Sequence, residues 1–227
     1  MTTNNSTTLN IGVIGLGAMG KGMASSLRRA GHHVSVCDVR YEAAEAFAQE
    51  GGTAHKTPAA LAQAADIIVS VVVNADQTEQ VLFGANGAAA HMKAGSLFIM
   101  CSTVDPNWSV ALEKRLNDMG LLYLDAPISG GAAKAASGQM TMMTSGQAAA
   151  YTKAGNALES MAANVYKLGD RAGYGSKVKI INQLLAGVHI AAAAEAMALG
   201  LREGVAPDAL YEVITHSAGN SWMFENR

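Results

Sequence analysis

Two sets of residues in this 227-residue chain have the types and spacing for chemistry. The first is Gly15-Leu16-Gly17-Ala18-Met19-Gly20, followed further on by Asp38. Between a strand and a helix, such a glycine run lets backbone N–H groups approach a pyrophosphate, and the helix turns its partial positive end toward it. Gly15 permits the tight turn, Gly17 the close approach, and Gly20 the packing of helix on strand. Asp38 lies about 20 residues past the glycines, where a carboxylate accepts hydrogen bonds from an adenine ribose. Its charge repels a 2′-phosphate and favours NAD over NADP, although Arg40 beside it is able to pair with that phosphate. A bare glycine motif would also fit a turn that binds nothing. Here strand, helix, second strand and terminal acid stand in register, and a dinucleotide site is expected.

The second set is split between two stretches. Ser129-Gly130-Gly131 follows Asp125-Ala126-Pro127-Ile128, and its successive N–H groups and hydroxyl are able to cup a carboxylate. An ordinary tight turn reads equally well from these residues alone. Lys179 opens a long helical segment, and Asn182 and Gln183 follow at i+3 and i+4, so all three share a face. Burial and the nearby helix N-terminus both lower a lysine pKa toward the range of proton transfer. Lys177 points the other way and is expected in solvent. Taken alone, the pair also reads as two surface lysines flanking a helix start.

The elements that must position these residues follow from the apolar pattern. Short strands are expected at Ile11–Ile14, His33–Cys37, Asp66–Val73, Ser96–Cys101 and Leu121–Leu124, with helices between them. Thr57-Pro58, Asn74 and Asp105-Pro106 are helix starts. Alternating strands and helices predict an α/β fold with a Rossmann-type, doubly wound parallel sheet. Gly15–Gly20, Asn74, Thr103 and Ser129–Gly131 all lie at the carboxyl ends of strands, where such sheets bind ligands. Asn74 is therefore expected to join the glycine turn as a cofactor contact. Gln139–Thr144 and Asn164–Leu168 read as further strands with a helix between. From Gly175 the pattern becomes all-helical, with one rod over Lys177–Arg202, apolar on most faces and expected to be buried by other helices or a partner subunit. The expected division is a dinucleotide domain over residues 1–172, with 1–9 a disordered tail, and a helical domain over 173–227.

Composition narrows the function classes. Half the residues are hydrophobic, and the net charge of −2 offers no basic field for nucleic acid or an anionic membrane. Cys37 and Cys101 end apolar runs without metal spacing, so free buried thiols in a reducing cytoplasm and no metal are expected. The first ten residues lack the basic start of a secretory signal, and no apolar run is read as long enough to span a bilayer.

From Ile11 to Arg227 the chain resembles the β-hydroxyacid dehydrogenase family, which includes 3-hydroxyisobutyrate dehydrogenase, tartronate semialdehyde reductase and, more distantly, 6-phosphogluconate dehydrogenase. The resemblance rests on Gly15–Gly20, Cys101-Ser102-Thr103, Asp125–Gly138, the G-x-G-x-x-x-K run from Gly173 to Lys179, and Gly219–Arg227. It implies that Lys179 transfers a proton, that Ser129, Gly130 and Gly131 hold substrate, and that Thr103 stands beside both nicotinamide and substrate. The family's amide partner falls on Gln183, with Asn182 just before it. The implied activity is oxidation of a short hydroxy acid with NAD, a four-carbon sugar acid at its 2-hydroxyl ahead of 3-hydroxyisobutyrate, in a cytoplasmic homo-oligomer joined through the helical domain. A non-catalytic NAD-binding scaffold is the rival outside the class. The family continues past Asn226-Arg227 with more helices and a further cofactor-contacting lysine, so the chain is expected to be a fragment or to have an incomplete second domain.

Overall fold

The computed structural model describes residues 8–226. Among them, β1 (Asn10–Ile14), α1 (Gly20–Arg29), β2 (His33–Cys37), α2 (Tyr41–Gln49), β3 (Thr53–Ala54) and α3 (Pro58–Ala64) come first. They are followed by β4 (Ile67–Ser70), α4 (Ala75–Phe83), β5 (Leu97–Met100), α5 (Pro106–Asp118) and β6 (Leu122–Asp125). These six strands form one parallel sheet in the order β3-β2-β1-β4-β5-β6. The Rossmann-type sheet is therefore present, with its order reversing between β1 and β4. Loops leaving those two strands flank the crevice where such sheets bind ligands.

Both faces of the sheet are covered, which is why its strands are apolar throughout rather than alternating. Ile11, Val13, Val36, Val69 and Ile99 pack on one face, and Ile14, Ile68, Phe98, Met100 and Tyr123 on the other. The helix starts behave as their sequences suggest. Thr57 Oγ1 accepts the Ala60 N–H at 3.1 Å, Asn74 Oδ1 the Gln77 N–H at 2.9 Å, and Asp105 the Asn107 N–H at 2.8 Å.

Several expectations need correction. Residues 1–7 of the expected tail lie outside the described residues. Leu9 is no tail residue: its N–H donates to His32 Nδ1 at 3.3 Å and its carbonyl accepts the His33 N–H. The apolar run expected to be a strand through Val73 leaves the sheet after Ser70, because the Ser102 hydroxyl takes the Val72 carbonyl at 2.8 Å. After β6 the chain starts a second sheet rather than extending the first. There β7 (Ile128–Ser129) runs antiparallel to β8 (Met140–Thr144), which pairs in parallel with β9 (Ala162–Lys167). The short helices α6 (Gly131–Ser137), α7 (Ala148–Ala154) and α8 (Ala157–Met161) connect them, two standing where one helix was expected. An antiparallel bridge between Asp125 and Ser145 ties the end of β6 to the end of β8.

The described chain divides into two compact units, one ending at Lys179 and one running from Ile180. The long helix α9 (Tyr174–Arg202) crosses that division. Of the two covers expected for it, the helices among the described residues leave Ile181, Leu184, Leu185 and Val188 exposed. It is also long and apolar enough, by length and composition alone, to cross a membrane, with a mean hydropathy of 1.7 over 18 residues. Isolated polar residues such as Asn182, Gln183 and His189 interrupt the apolar run in the sequence while leaving its average high. In the second unit α10 (Pro207–Thr215) follows, and Gly200 lets Leu210 approach α9 closely. Tyr211 of α10 stacks on Phe224 of α11 (Trp222–Asn226) at 5.7 Å between ring centres.

Candidate active site

The glycine turn joins β1 to α1 as its spacing requires. Gly15 has φ +94°, and a Cβ on Gly20 would lie 1.8 Å from the Gly15 carbonyl oxygen. No side chain fits at either position without shifting the backbone. Gly17 differs, because a Cβ there meets no described atom within 4 Å. Its face is open, as a backbone surface that receives a ligand must be. Leu16, Ala18 and Met19 complete the turn, and Met19 precedes the first residue of α1.

Asp38 does more than terminate β2. Its Oδ2 accepts the Leu16 N–H at 2.6 Å, and its Oδ1 accepts the Arg40 N–H at 2.8 Å. The carboxylate thus braces the glycine turn from the neighbouring strand. Arg40 Nε lies 3.8 Å from Asp38 Oδ1 while the arginine side chain remains largely exposed. Asn74 spends its side-chain oxygen capping α4 at the end of the β4 loop. Thr103 is exposed on the loop after β5, next to Ser102, whose hydroxyl lies 3.2 Å from that of Thr78. These loops all leave the carboxyl edge of the parallel sheet. An open glycine, a helix N-terminus and a braced turn fit a dinucleotide pyrophosphate.

The second set is brought together by the small sheet. Lys179 is only 7% exposed, and its Nζ donates to the Ile128 carbonyl at 2.9 Å. Burial holds its pKa below the usual lysine range. Ile128 immediately precedes Ser129, Gly130 and Gly131, where the backbone turns with φ +137° at Gly130 and +76° at Gly131. The buried amine and the glycine turn are therefore neighbours, although 51 residues separate Ile128 from Lys179. Lys177 is exposed and lies over the Tyr174 ring at 4.9 Å. Asn182 is half-buried and Gln183 exposed, one turn further along α9 in the second unit.

A buried amine at the Ile128 carbonyl, next in sequence to a glycine turn, in a chain that also carries a strand–glycine–helix turn braced by Asp38, has the groups that transfer of a hydroxyl proton needs. Residues 10–169 match the family described as the NAD binding domain of 6-phosphogluconate dehydrogenase. Residues 173–227 match the one described as NAD-binding of NADP-dependent 3-hydroxyisobutyrate dehydrogenase. The chain belongs to the β-hydroxyacid dehydrogenase family. This β-hydroxyacid dehydrogenase is 66% identical over 218 residues to L-threonate dehydrogenase of Cupriavidus necator, a match covering 96% of the chain and 73% of that protein. It is 37% identical to the mitochondrial 3-hydroxyisobutyrate dehydrogenase of Mus musculus, covering 93% of the chain and 63% of that protein. A crystal structure described as 3-hydroxyisobutyrate dehydrogenase from Salmonella typhimurium superposes with a TM-score of 0.92 at 48% identity, covering 96% of the chain and 76% of that one.

Two residues of the dehydrogenase had no assigned part in the sequence reading. Asp125 is fully buried and accepts hydrogen bonds from Gly173, Ser176 and Ser145, and Ser176 is buried against it. Burial raises the Asp125 pKa, while the bonds from Ser176 and Gly173 oppose that rise. A trace of this existed in the sequence: the start of α9 reads Gly-Tyr-Gly-Ser, so its N–H groups need an acceptor from elsewhere. Which acid supplies it was not legible. Both cysteines are free and buried, as expected. Burial pushes Cys37 up to about 11 and Cys101 to about 12.

Proposed function

We propose that this NAD-dependent dehydrogenase oxidises the 2-hydroxyl of L-threonate, or of a similar short hydroxy acid. The observation that carries the reading is the buried Lys179 amine at the Ile128 carbonyl, beside Ser129-Gly130-Gly131. The 66% identity to an L-threonate dehydrogenase supports the sugar acid over 3-hydroxyisobutyrate.

In this mechanism the Ser129 hydroxyl and the Gly130 and Gly131 N–H groups hold the substrate carboxylate. Lys179 acts neutral, its N–H directed to Ile128, which leaves the lone pair free for the substrate hydroxyl proton. Loss of that proton leaves the C–O electrons to form the carbonyl as the C2 hydrogen departs with its electron pair. NAD, when bound, accepts that hydride. Gly15, Leu16, Gly17, Ala18, Met19 and Gly20 would hold the pyrophosphate, and Asp38 the adenine ribose, with Asn74 and Thr103 along the nicotinamide. The Asp38 carboxylate supports NAD over NADP. Thr103 orients the rest of the substrate, and the amide partner that the family resemblance implies falls at Asn182 or Gln183. Holding the reacting carbon in place supplies a large part of the rate gain.

We also propose a dinucleotide domain over 1–172 and a helical domain over 173–227, consistent with the two matched segments. The exposed apolar side chains of α9 support a homo-oligomer joined through that helix, in the cytoplasm. A substrate panel with NAD tests the main reading. Turnover of L-threonate exceeding that of 3-hydroxyisobutyrate is expected, and the reverse order would replace it with the second activity. The Salmonella typhimurium likeness gives that alternative its weight.

A further inference from the structure

The start of α9 carries no acidic side chain in its first turn, and its N–H groups are met instead from one distant bridge. Asp125 Oδ2 accepts the Gly173 and Ser176 N–H groups at 2.9 Å each. Asp125 Oδ1 accepts the Ser176 hydroxyl at 2.7 Å. Ser145 completes the arrangement. Its hydroxyl accepts the Gly175 N–H at 2.9 Å and donates to Asp125 Oδ2 at 3.2 Å. The Asp125 and Ser145 backbones are themselves doubly bonded, at 2.8 and 3.0 Å. A Cβ on Gly175 would lie 2.3 Å from the Met143 carbonyl oxygen and 3.0 Å from that of Asp125, so the helix start rests directly on this bridge.

We propose that Asp125 is a positioning residue for Lys179, gripping the first turn of α9 so that the amine reaches the Ile128 carbonyl and the Ser129 turn. The proposal rests on the reading of Lys179 as the proton acceptor. Two connections support it. Ser176 and Lys179 are three residues apart on one helix face, so the grip on Ser176 sets the angle at which the lysine leaves α9. Asp125 and Ile128 are also three residues apart, on the segment that carries the substrate-holding turn. One stretch of chain therefore fixes both the root of the lysine and its tip. The helix dipole and the converging donors make a carboxylate the suitable acceptor there. The other charged groups at this helix start are Asp170, Arg171, Lys177 and Glu113, whose Oε2 takes the Ala172 N–H at 3.1 Å.

Asp125→Asn places an amide, with one acceptor oxygen, where four donors converge, so part of the grip is lost. Ser176→Ala removes only the hydroxyl bond. The full chain and both variants are compared by steady-state kinetics with L-threonate and NAD, and by NADH fluorescence titration. In parallel, competitive acetylation of Lys179 by acetic anhydride across pH, read by mass spectrometry, follows the amine whether or not substrate turns over. Asp125→Asn is expected to lower kcat about 100-fold, with KM and NADH affinity within about threefold, because small misplacements of a reacting group are costly. Its Lys179 titration moves upward as water reaches the amine. Ser176→Ala shifts both in the same direction by less, about fivefold in kcat. Folded variants with wild-type kcat and an unmoved Lys179 titration would overturn the proposal. Should Asp125→Asn fail to fold, Ser176→Ala decides by the same two readouts. A wild-type chain that oxidises no hydroxy acid would defeat the functional reading instead, and the acetylation profile would still judge the grip.

Discussion

The Lys179 Nζ lies 2.9 Å from the carbonyl oxygen of Ile128. No carboxylate pairs with this buried cation among the described contacts, and a carbonyl compensates an ammonium only in part. Burial correspondingly favours the neutral amine.

Replacing the amine tests this most directly. Lys179→Ala is expected to lower kcat by about 1,000-fold or more, with NADH affinity retained within about threefold. Lys179→Arg should be as inactive, since a guanidinium does not deprotonate near neutral pH. Steady-state rates and NADH fluorescence titration give both quantities, and appreciable turnover by the alanine variant would remove the lysine from the mechanism.

The lowered lysine pKa has consequences for activity and for stability. Activity with saturating substrate should rise with pH as the amine deprotonates, through an acid limb below the ordinary lysine value of 10.5. For stability, the unfolded chain binds the proton more tightly than the folded one. This contribution is therefore lost as pH falls through the folded pKa and regained as pH rises toward 10.5. Urea midpoints of wild type and Lys179→Met across pH measure it. The methionine variant should lose that slope.

The glycine turn separates space from function. Gly20→Ala meets the Gly15 carbonyl and should both destabilise the chain and abolish cofactor binding. Gly17→Ala meets open space, so its melting temperature should stay within about 2 °C of wild type. Its NAD affinity should nevertheless fall about tenfold or more, because a methyl group then stands where the pyrophosphate approaches. Equal NAD affinity for Gly17→Ala and wild type would count against that placement.

Asp38 carries two duties that one substitution can weigh. Asp38→Ala removes both the brace on Leu16 and the charge facing a 2′-phosphate. The kcat/KM with NAD should drop about 10- to 100-fold while the NADP-to-NAD ratio rises, helped by the exposed Arg40. Parallel assays with both cofactors give the ratio.

The cysteines should be silent. With pKa values of about 11 and about 12, neither Cys37 nor Cys101 offers thiolate near neutral pH. A chromogenic disulfide reagent at pH 7.5 should label neither in the native chain and both after denaturation. Rapid native labelling would show that the β2 or β5 end opens.

The parallel sheet, its helix caps and the glycine turn were legible because each is encoded by near neighbours. Gly15 and Gly20 specify a turn through their own backbone limits, and Thr57, Asn74 and Asp105 cap helices whose first N–H groups lie two or three residues away. The β7–β8–β9 sheet was harder, since Ile128-Ser129 is too short to show a period of its own. The run through Val73 was read too long because composition does not reveal where the Ser102 hydroxyl draws the chain aside.

The sequence by itself determined that a strand–glycine–helix turn, a second glycine-rich turn and a helix-borne lysine occur in one α/β chain. Their residue types and local spacing follow from backbone sterics and helical periodicity. Only the tertiary structure decided that Asp38 braces Leu16, that Lys179 is buried against Ile128, and that Asp125 grips Ser176. Those pairs are 22, 51 and 51 residues apart. Nothing in local spacing selects one distant acceptor over another. Burial does, because each buried donor must find a partner once the sheet has closed around it.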